Sequence, residues 1–567
     1  MKKILLALTV ILTLTAAYKQ TFAQAPNWIW ANGAGGTVGD DNGQSISTDA
    51  NGNVYVTGFF GSDSLTFGTT TITNAGSNGS GNTDIFVIKY DANGNILWAQ
   101  SAGGSADERA NSISTDANGN VYVTGDFINS TITPFTFGTT TLTSAGGTDI
   151  FILKYDSNGN AVWAKSFGGT AYDYASSIST NVNGNMYMTG YFQSSTIIFG
   201  TTTLTNAGNQ DMFIAKYDAN GNVLWANSAG DVGNDYGYSV STEVGGNLYV
   251  TGIFGYSITF GTTTLTTTAG NTDIFIVKYD SNGNTLWAKS SGGTTGMKNG
   301  YGISTDANGN AYVTGDFRSS SITFGITTLT NADASGNGSD IFIAKYDANG
   351  NAVWAKKAGG TNTNNAGDTG FGICTDTNGD VYVTGGFQCS SLTFGSTTLA
   401  NSGSSNIFIA KYDNNGNALW AKRAGGTGYA WANSINTDAN GNVLITGAFN
   451  SPSILFGSIT LTQAFYNDIF IAKLGSSTGV ENLENENNIV IYPNPFSSST
   501  TLQTDNLLHN ATLTVDNCFG QTVAQIKNIS GQTVTFSRDN LASGLYFVRL
   551  MQDNKVIAID KLVIADK

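Results

Sequence analysis

His509 is the single histidine in 567 residues, and it stands near the C-terminal end. A Ser-His or Cys-His nucleophile needs an imidazole within hydrogen-bond reach, so none is expected in the long stretch before it. Cys374, Cys389 and Cys518 make neither a disulfide framework nor zinc spacing. Small buried side chains are the plain reading of Cys374 and Cys389, with a bridge between them the less expected one. If the hairpin between them turns at Asn378-Gly379, Cys374 faces Val383. Glycine is plentiful, yet it comes as Asn-Gly and Ala-Gly-Gly, never as a phosphate loop opening a helix. Asp-x-Asn-Gly-Asn recurs, as in Asp116-Ala117-Asn118-Gly119-Asn120, but the further acids and closing Glu of a calcium loop are missing. Capping of turn amides by Asp and Asn accounts for it. No cofactor and no dedicated metal site are expected; the acids, gathered on one face, could bind calcium weakly.

Carboxylates remain. Glycoside hydrolysis needs two of them about 5–10 Å apart, and Asp107-Glu108 and Asp40-Asp41 are adjacent pairs. Adjacent residues on a strand point to opposite faces, so no catalytic residue is assigned. A binding site is the better expectation, built from Asp107, Glu108, Arg109, Asp173, Tyr174, Asp235, Tyr236, Tyr429 and Trp431. Aromatic faces stack on a sugar while carboxylates and an Arg hydrogen-bond it. The plainer alternative is that these are loop residues capping strands.

What must position them is a repeat of about sixty-five residues, marked by Trp98, Trp163, Trp225, Trp287, Trp354 and Trp420. Within the second unit, alternation of apolar and polar residues predicts strands at Ser112 to Thr115, Val121 to Gly125, Asp149 to Tyr155 and Ala161 to Lys165. Asn-Gly pairs such as Asn118-Gly119 and Asn158-Gly159 predict two-residue type I′ hairpins. A Thr-rich arm around Phe137-Gly138 separates the second strand from the third. The candidate residues fall in the connection leading into each first strand, which varies most between units. Such connections gather at one end of the axis if the units close into a ring. A unit of this kind cannot bury its own apolar face and must stack on its neighbours. Seven copies are present; the last lacks its Trp strand, and Trp28-Ile29-Trp30-Ala31 precedes the first copy. That offset predicts a ring closed by the N-terminal strand, which removes the open sheet edge. The tryptophans are expected to pack between units.

The phrase from Ser47 to Gly58, the Asp-Ile-Phe strand and the Leu-Trp-Ala-Lys strand resemble the SBBP family of bacterial β-propeller repeats. That resemblance covers roughly 27–474 and implies a seven-bladed propeller with no fixed activity. Beyond it, 475–488 is polar and acidic and reads as a linker. Residues 489–567 open with Tyr492-Pro493-Asn494-Pro495 and carry Gly544-Leu545-Tyr546 and a short basic ending. They resemble the type A C-terminal sorting domain of the type IX secretion system, which implies a small β-sandwich and handling by that machinery.

Residues 1–24, Met1-Lys2-Lys3 followed by an apolar run, read as a secretory signal peptide. No later segment is apolar enough to span a bilayer. A net charge of −15 without clustered Lys/Arg argues against nucleic acid. The expectation is an all-β chain, 25–474 forming a seven-bladed propeller and 489–567 a β-sandwich, secreted or attached to the outer cell surface. It would act as a monomeric binding module for an extracellular glycan or protein. The alternatives are a carbohydrate-active hydrolase or lyase using mouth carboxylates, and a structural envelope component.

Overall fold

The computed structural model describes residues 25–36, 38–76, 81–128, 134–267, 271–333, 338–360, 367–475, 489–517, 521–552 and 555–566. The expected signal peptide, Cys518 and all of the expected linker except Gly475 lie outside them. Every regular element among the described residues is a strand. The chain divides into two compact units, Met1–Ser476 and Ser477–Lys567.

Among the described residues the first unit holds seven antiparallel sheets of four strands, one of them extended by an outer hairpin, with further two-stranded hairpins beside the others. In the second sheet the strands run Glu108–Thr115, Val121–Ile128, Thr148–Tyr155 and Ala161–Phe167. Each first strand lies against the first strand of the next sheet, and that of the last sheet, Tyr429–Thr437, packs on Asp41–Thr48 of the first. Thr48 Oγ1 donates to Thr437 O at 3.0 Å across that junction, and Asn433 Nδ2 donates to Gly43 O at 2.9 Å. Asn27–Ala34 supplies the fourth strand of the last sheet by pairing with Asp468–Gly475. The succession is propeller-like, and the N-terminal strand covers what would otherwise be an open edge.

Two expectations need correction. The Asn-Gly turns are not two-residue type I′ hairpins. In the first sheet Asp49 N donates to Asn53 O and Gly52 N to Asp49 O, which closes a three-residue loop with Gly52 left-handed at φ +77°. Asp49 selects that loop: its Oδ1 accepts the Asn51 and Asn53 amides, both at 2.9 Å, and its Oδ2 accepts Asn53 Nδ2 and the Tyr55 hydroxyl. The side chain thus holds the type I turn and glycine bulge that the two-residue reading lacks. The same count moves Cys374 opposite Tyr382, not Val383, and both Cys374 and Cys389 are free and buried.

The first strands also start earlier than expected, at Glu108 in place of Ser112 in the second sheet. Glu108 and Arg109 pair with Phe127 and Asp126, after which a β-bulge falls between Ala110 and Ser112. A bulge breaks the period-two alternation, which is why the sequence pattern appears to begin only beyond it.

The tryptophans join sheet to sheet. The Trp98 ring covers the turn of the following sheet, where a side chain on Gly159 would meet it at 2.7 Å. Its Nε1 donates to Ser157 O at 3.2 Å, and Trp225, Trp287 and Trp354 make the corresponding bond. Lys89 Nζ reaches the same Ser157 carbonyl from above the Tyr55 ring. These contacts recur at the same position in most of the sheets, as packing between equivalent units requires, although Trp163 Nε1 makes no such bond and Leu444 replaces the tyrosine in the last sheet.

The second unit is one five-stranded sheet curled into a half-barrel, where two facing sheets were expected. Its long strands Ser499–Asn517 and Thr522–Ser537 bend at register shifts and wrap a core that includes Leu502, Leu513, Val515, Val548 and Leu562. Asn494 ties the opening Tyr-Pro-Asn-Pro to the last strand: its Nδ2 donates to Lys561 O and its Oδ1 accepts the Val563 amide.

Candidate binding site on the ring axis

The residues expected at the mouth separate into two sets. Glu108, Asp173 and Asp235 are fully buried, like Asp41 and Asp368 at the matching place in other sheets. Asp173 accepts the Gly169, Gln193 and Ser194 amides and the Ser194 hydroxyl. Asp235 accepts the Asp231 and Gly255 amides, and Glu108 Oε2 accepts the Gly104 amide at 2.8 Å. These carboxylates brace loops from within, so they face no ligand at the mouth; the expectation that they would is corrected. Burial, with the charges of Asp84 and Asp107 adding to it, pushes the Glu108 carboxyl up to about 9. Burial likewise pushes Asp235 up to about 8. Asp107 is half-buried and accepts the Thr83 amide of the neighbouring sheet at 3.0 Å. With Glu108 interior and Asp107 latched to a backbone amide, the pair is not arranged as two facing carboxylates.

One residue further along, Arg109, Tyr174, Tyr236 and Trp431 behave differently. Each occupies the same place in its inner strand, and three of them reach the second strand of the preceding sheet. Arg109 stands 5.3 Å over the Phe59 ring, and Tyr236 packs edge-on against Tyr191 with centroids 4.4 Å apart. A side chain on Gly386 would meet Trp431 Cβ at 3.3 Å, so glycine there makes room for the indole. Tyr174 lies against Tyr191 of its own sheet at 5.1 Å. Tyr429 is half exposed and pairs with Asn450 without joining the aromatic group.

Deeper along the axis is a set that sequence reasoning did not assign. The bulges of all seven inner strands leave one residue out of register at the same place: Gln44, Asn111, Ser176, Tyr238, Tyr301, Phe371 and Asn433. All seven line one cavity of about 220 Å³. Tyr238 lies 5.8 Å from Tyr236 and 5.5 Å from Tyr301, and Tyr301 lies 5.5 Å from Phe371. An unbroken series of rings therefore leads from Tyr174 and Tyr191 to Phe371. The available signal was a variable residue between a small one and the Ser or Gly that precedes each Ile or Val.

At the other end, each repeated turn aspartate already holds hydrogen-bond donors on both oxygens, as Asp116 does with Asn118, Asn120 and Tyr122. Any calcium there would have to displace them.

Comparison with known proteins adds one assignment. Residues 490–565 match the family described as the secretion system C-terminal sorting domain. An uncharacterized WD repeat-containing protein of Acanthamoeba polyphaga mimivirus is 28% identical over 509 residues, covering 74% of this chain and 36% of that protein. The regulatory protein FlaEY of Caulobacter vibrioides is 26% identical over 159 residues, covering 27% of this chain and 16% of that protein. The chain thus spans little more than a third of the first relative's length. Among solved structures, PorZ, a surface component of the type IX secretion system of Porphyromonas gingivalis, aligns over 94% of this chain and all of that one, with 11% identity and a TM-score of 0.21. A puromycin hydrolase aligns over 82% of this chain and 59% of its own, with 9% identity and a TM-score of 0.32. At such scores neither carries an argument. The sorting domain does: a chain ending in it is secreted by the type IX route, to the outer cell surface or beyond.

Proposed function

We propose that the first unit is a seven-bladed β-propeller of SBBP type that serves as a binding module for an extracellular glycan or protein. It is carried out of the cell by the type IX machinery acting on the C-terminal domain. One observation carries this reading. The constant residues of the repeat hold sheets together, while residues that differ between sheets converge on the axis as a run of aromatic rings. In this reading the module works as a monomer, needs no cofactor, and leaves catalysis to others, since its mouth carboxylates are engaged by backbone amides.

The test uses the full exported chain on glycan arrays and in pull-downs from the medium. Replacing Tyr174, Tyr236 and Trp431 together by Ala should abolish capture of whatever ligand is found. Retained capture would remove the axial site. A chain that captures nothing, with or without calcium, would favour a purely structural envelope role.

A further inference from the structure

The seven bulge residues show which chemistry the axis suits. Around them the inner strands are almost uniform: each is followed by Ser or Gly and then by Ile or Val. A bulge re-aims a side chain, and here the re-aimed position is the one that diverges.

The divergence is ordered around the ring. Tyr238, Tyr301 and Phe371 come from three consecutive sheets and form an apolar arc. Asn433, Gln44, Asn111 and Ser176, from the next four sheets in turn, complete the circle with amides and a hydroxyl. Asn111 Nδ2 donates to Ala175 O and Asn433 Nδ2 to Gly43 O, both at 2.9 Å, which fixes the two amides. Among the described residues their side-chain oxygens accept no hydrogen bond.

The framework gives something up where the rings stand. In most sheets the serine after the bulge accepts the Ile or Val amide of the next sheet, as Ser45 accepts Ile113 N at 3.2 Å and Ser239 accepts Ile303 N at 3.3 Å. After Tyr301 and Phe371 the residue is Gly302 or Gly372, and those two bonds have no hydroxyl to receive them. A side chain on Gly302 would meet Phe371 O at 2.9 Å. Local rules surrendered in this way mark sites kept for function.

We infer that the axial cavity takes the terminal pyranose of a neutral glycan, its hydroxyls toward Asn433, Gln44 and Asn111 and one side against Tyr301 and Phe371. The inference rests on the binding-module reading and narrows it. A neutral, hydroxyl-rich ring matches a lining that is mostly polar and carries amides on one side. It is neutral because none of the seven residues is charged, and a charge buried without a partner is strongly disfavoured. Tyr236 and Tyr191 continue the track outward for the following sugar units.

Titration of the full chain with methyl glycosides of glucose, galactose, mannose and N-acetylglucosamine tests this, alongside neutral tetrasaccharides and a uronic-acid tetrasaccharide as charged control. Binding is read from tyrosine fluorescence and calorimetry. A neutral series should bind, and Phe371→Leu and Gln44→Ala should each weaken it by about tenfold, a free-energy change of about 1.4 kcal/mol, with the melting temperature unchanged. Tyr236→Ala should weaken the tetrasaccharide more than the methyl glycoside. Equal binding of the charged control, or affinity untouched by both channel variants, overturns the inference. So does the absence of any neutral ligand. In that last case, a protein captured in a Tyr174- and Trp431-dependent way would leave the broader binding reading standing, and no capture at all would remove both.

Discussion

At the scale of single residues, position within a strand decides what a carboxylate does. Asp107, Glu108 and Arg109 are consecutive, yet one latches a neighbouring amide, one is interior and one is exposed over Phe59. Glu108 carries the sharpest consequence. Its Oε1 has no hydrogen-bond partner, and burial raises its carboxyl from the ordinary value of 4.5 to about 9. The folded chain therefore keeps a proton that the unfolded chain releases, so ν_U − ν_N is negative across that interval and stability falls as pH rises through it. Below pH 4.5 the two states bind alike and the loss is absent. Glu108→Gln keeps an oxygen for the Gly104 amide and has no proton to lose. Denaturation curves should show the variant equal to the parent near pH 4.5 and more stable at pH 8, the gap growing by at most about 1.4 kcal/mol per pH unit. A pH-independent difference would mean that Glu108 is ionised in the folded protein.

At the scale of elements, much was legible and the failures share a cause. The second and third strands of each sheet read as short apolar runs bounded by turn residues, and the tryptophans of the fourth fall where sheets touch. The inner strands could be read only from Ser112 onward because the bulge at Asn111 shifts the phase by one; the same shift hid Tyr238, Tyr301 and Phe371 as a group. The turns misled differently: Asn-Gly alone suggests type I′, while the Asp two residues earlier imposes a longer loop. The third sheet departs from that device. It has Asn181 where five others have Asp and the fourth has Glu243. Although Asn181 Oδ1 still accepts the Asn183 and Asn185 amides, the buried Tyr187 hydroxyl faces an amide and has no carboxylate oxygen to receive its proton. In the second sheet Asp116 Oδ2 takes the corresponding Tyr122 hydroxyl at 3.0 Å. Lys216 also stands over Tyr187 with no carboxylate from its own sheet's turn, donating to Ser281 O of the next sheet, whereas Lys473 in the last sheet pairs with Asp438 at 2.9 Å. Asn181→Asp should therefore stabilise the protein by about 1–2 kcal/mol, the worth of a hydrogen bond to a charged group. A lowered denaturation midpoint would show that the second carboxylate oxygen is not what holds this turn.

At the scale of the whole chain, the C-terminal unit sets the destination, and in the proposed reading the first unit supplies the binding surface. The described part of the first unit depends on one strand far from its partners in sequence. Asn27–Ala34 pairs with residues 469–475, and Trp30 Nε1 donates to Ala92 O of the first sheet. It therefore joins the last sheet to the first as well as covering an edge. Removing residues 25–36 leaves Asp468–Gly475, wholly buried in the intact protein, as an open apolar edge. The truncated chain should unfold at lower denaturant and form concentration-dependent aggregates in light scattering. A synthetic peptide of the sequence Asn27–Ala34 should restore much of the loss by adding back as a strand. The rescue separates closure from mere loss of mass: a peptide with Trp28 and Trp30 both replaced by Ala keeps the backbone pairing but not the packing on Phe456 and Tyr90. It should rescue less well. A truncated chain that stays monodisperse with an unchanged midpoint would mean that the N-terminal strand decorates a ring already stable without it.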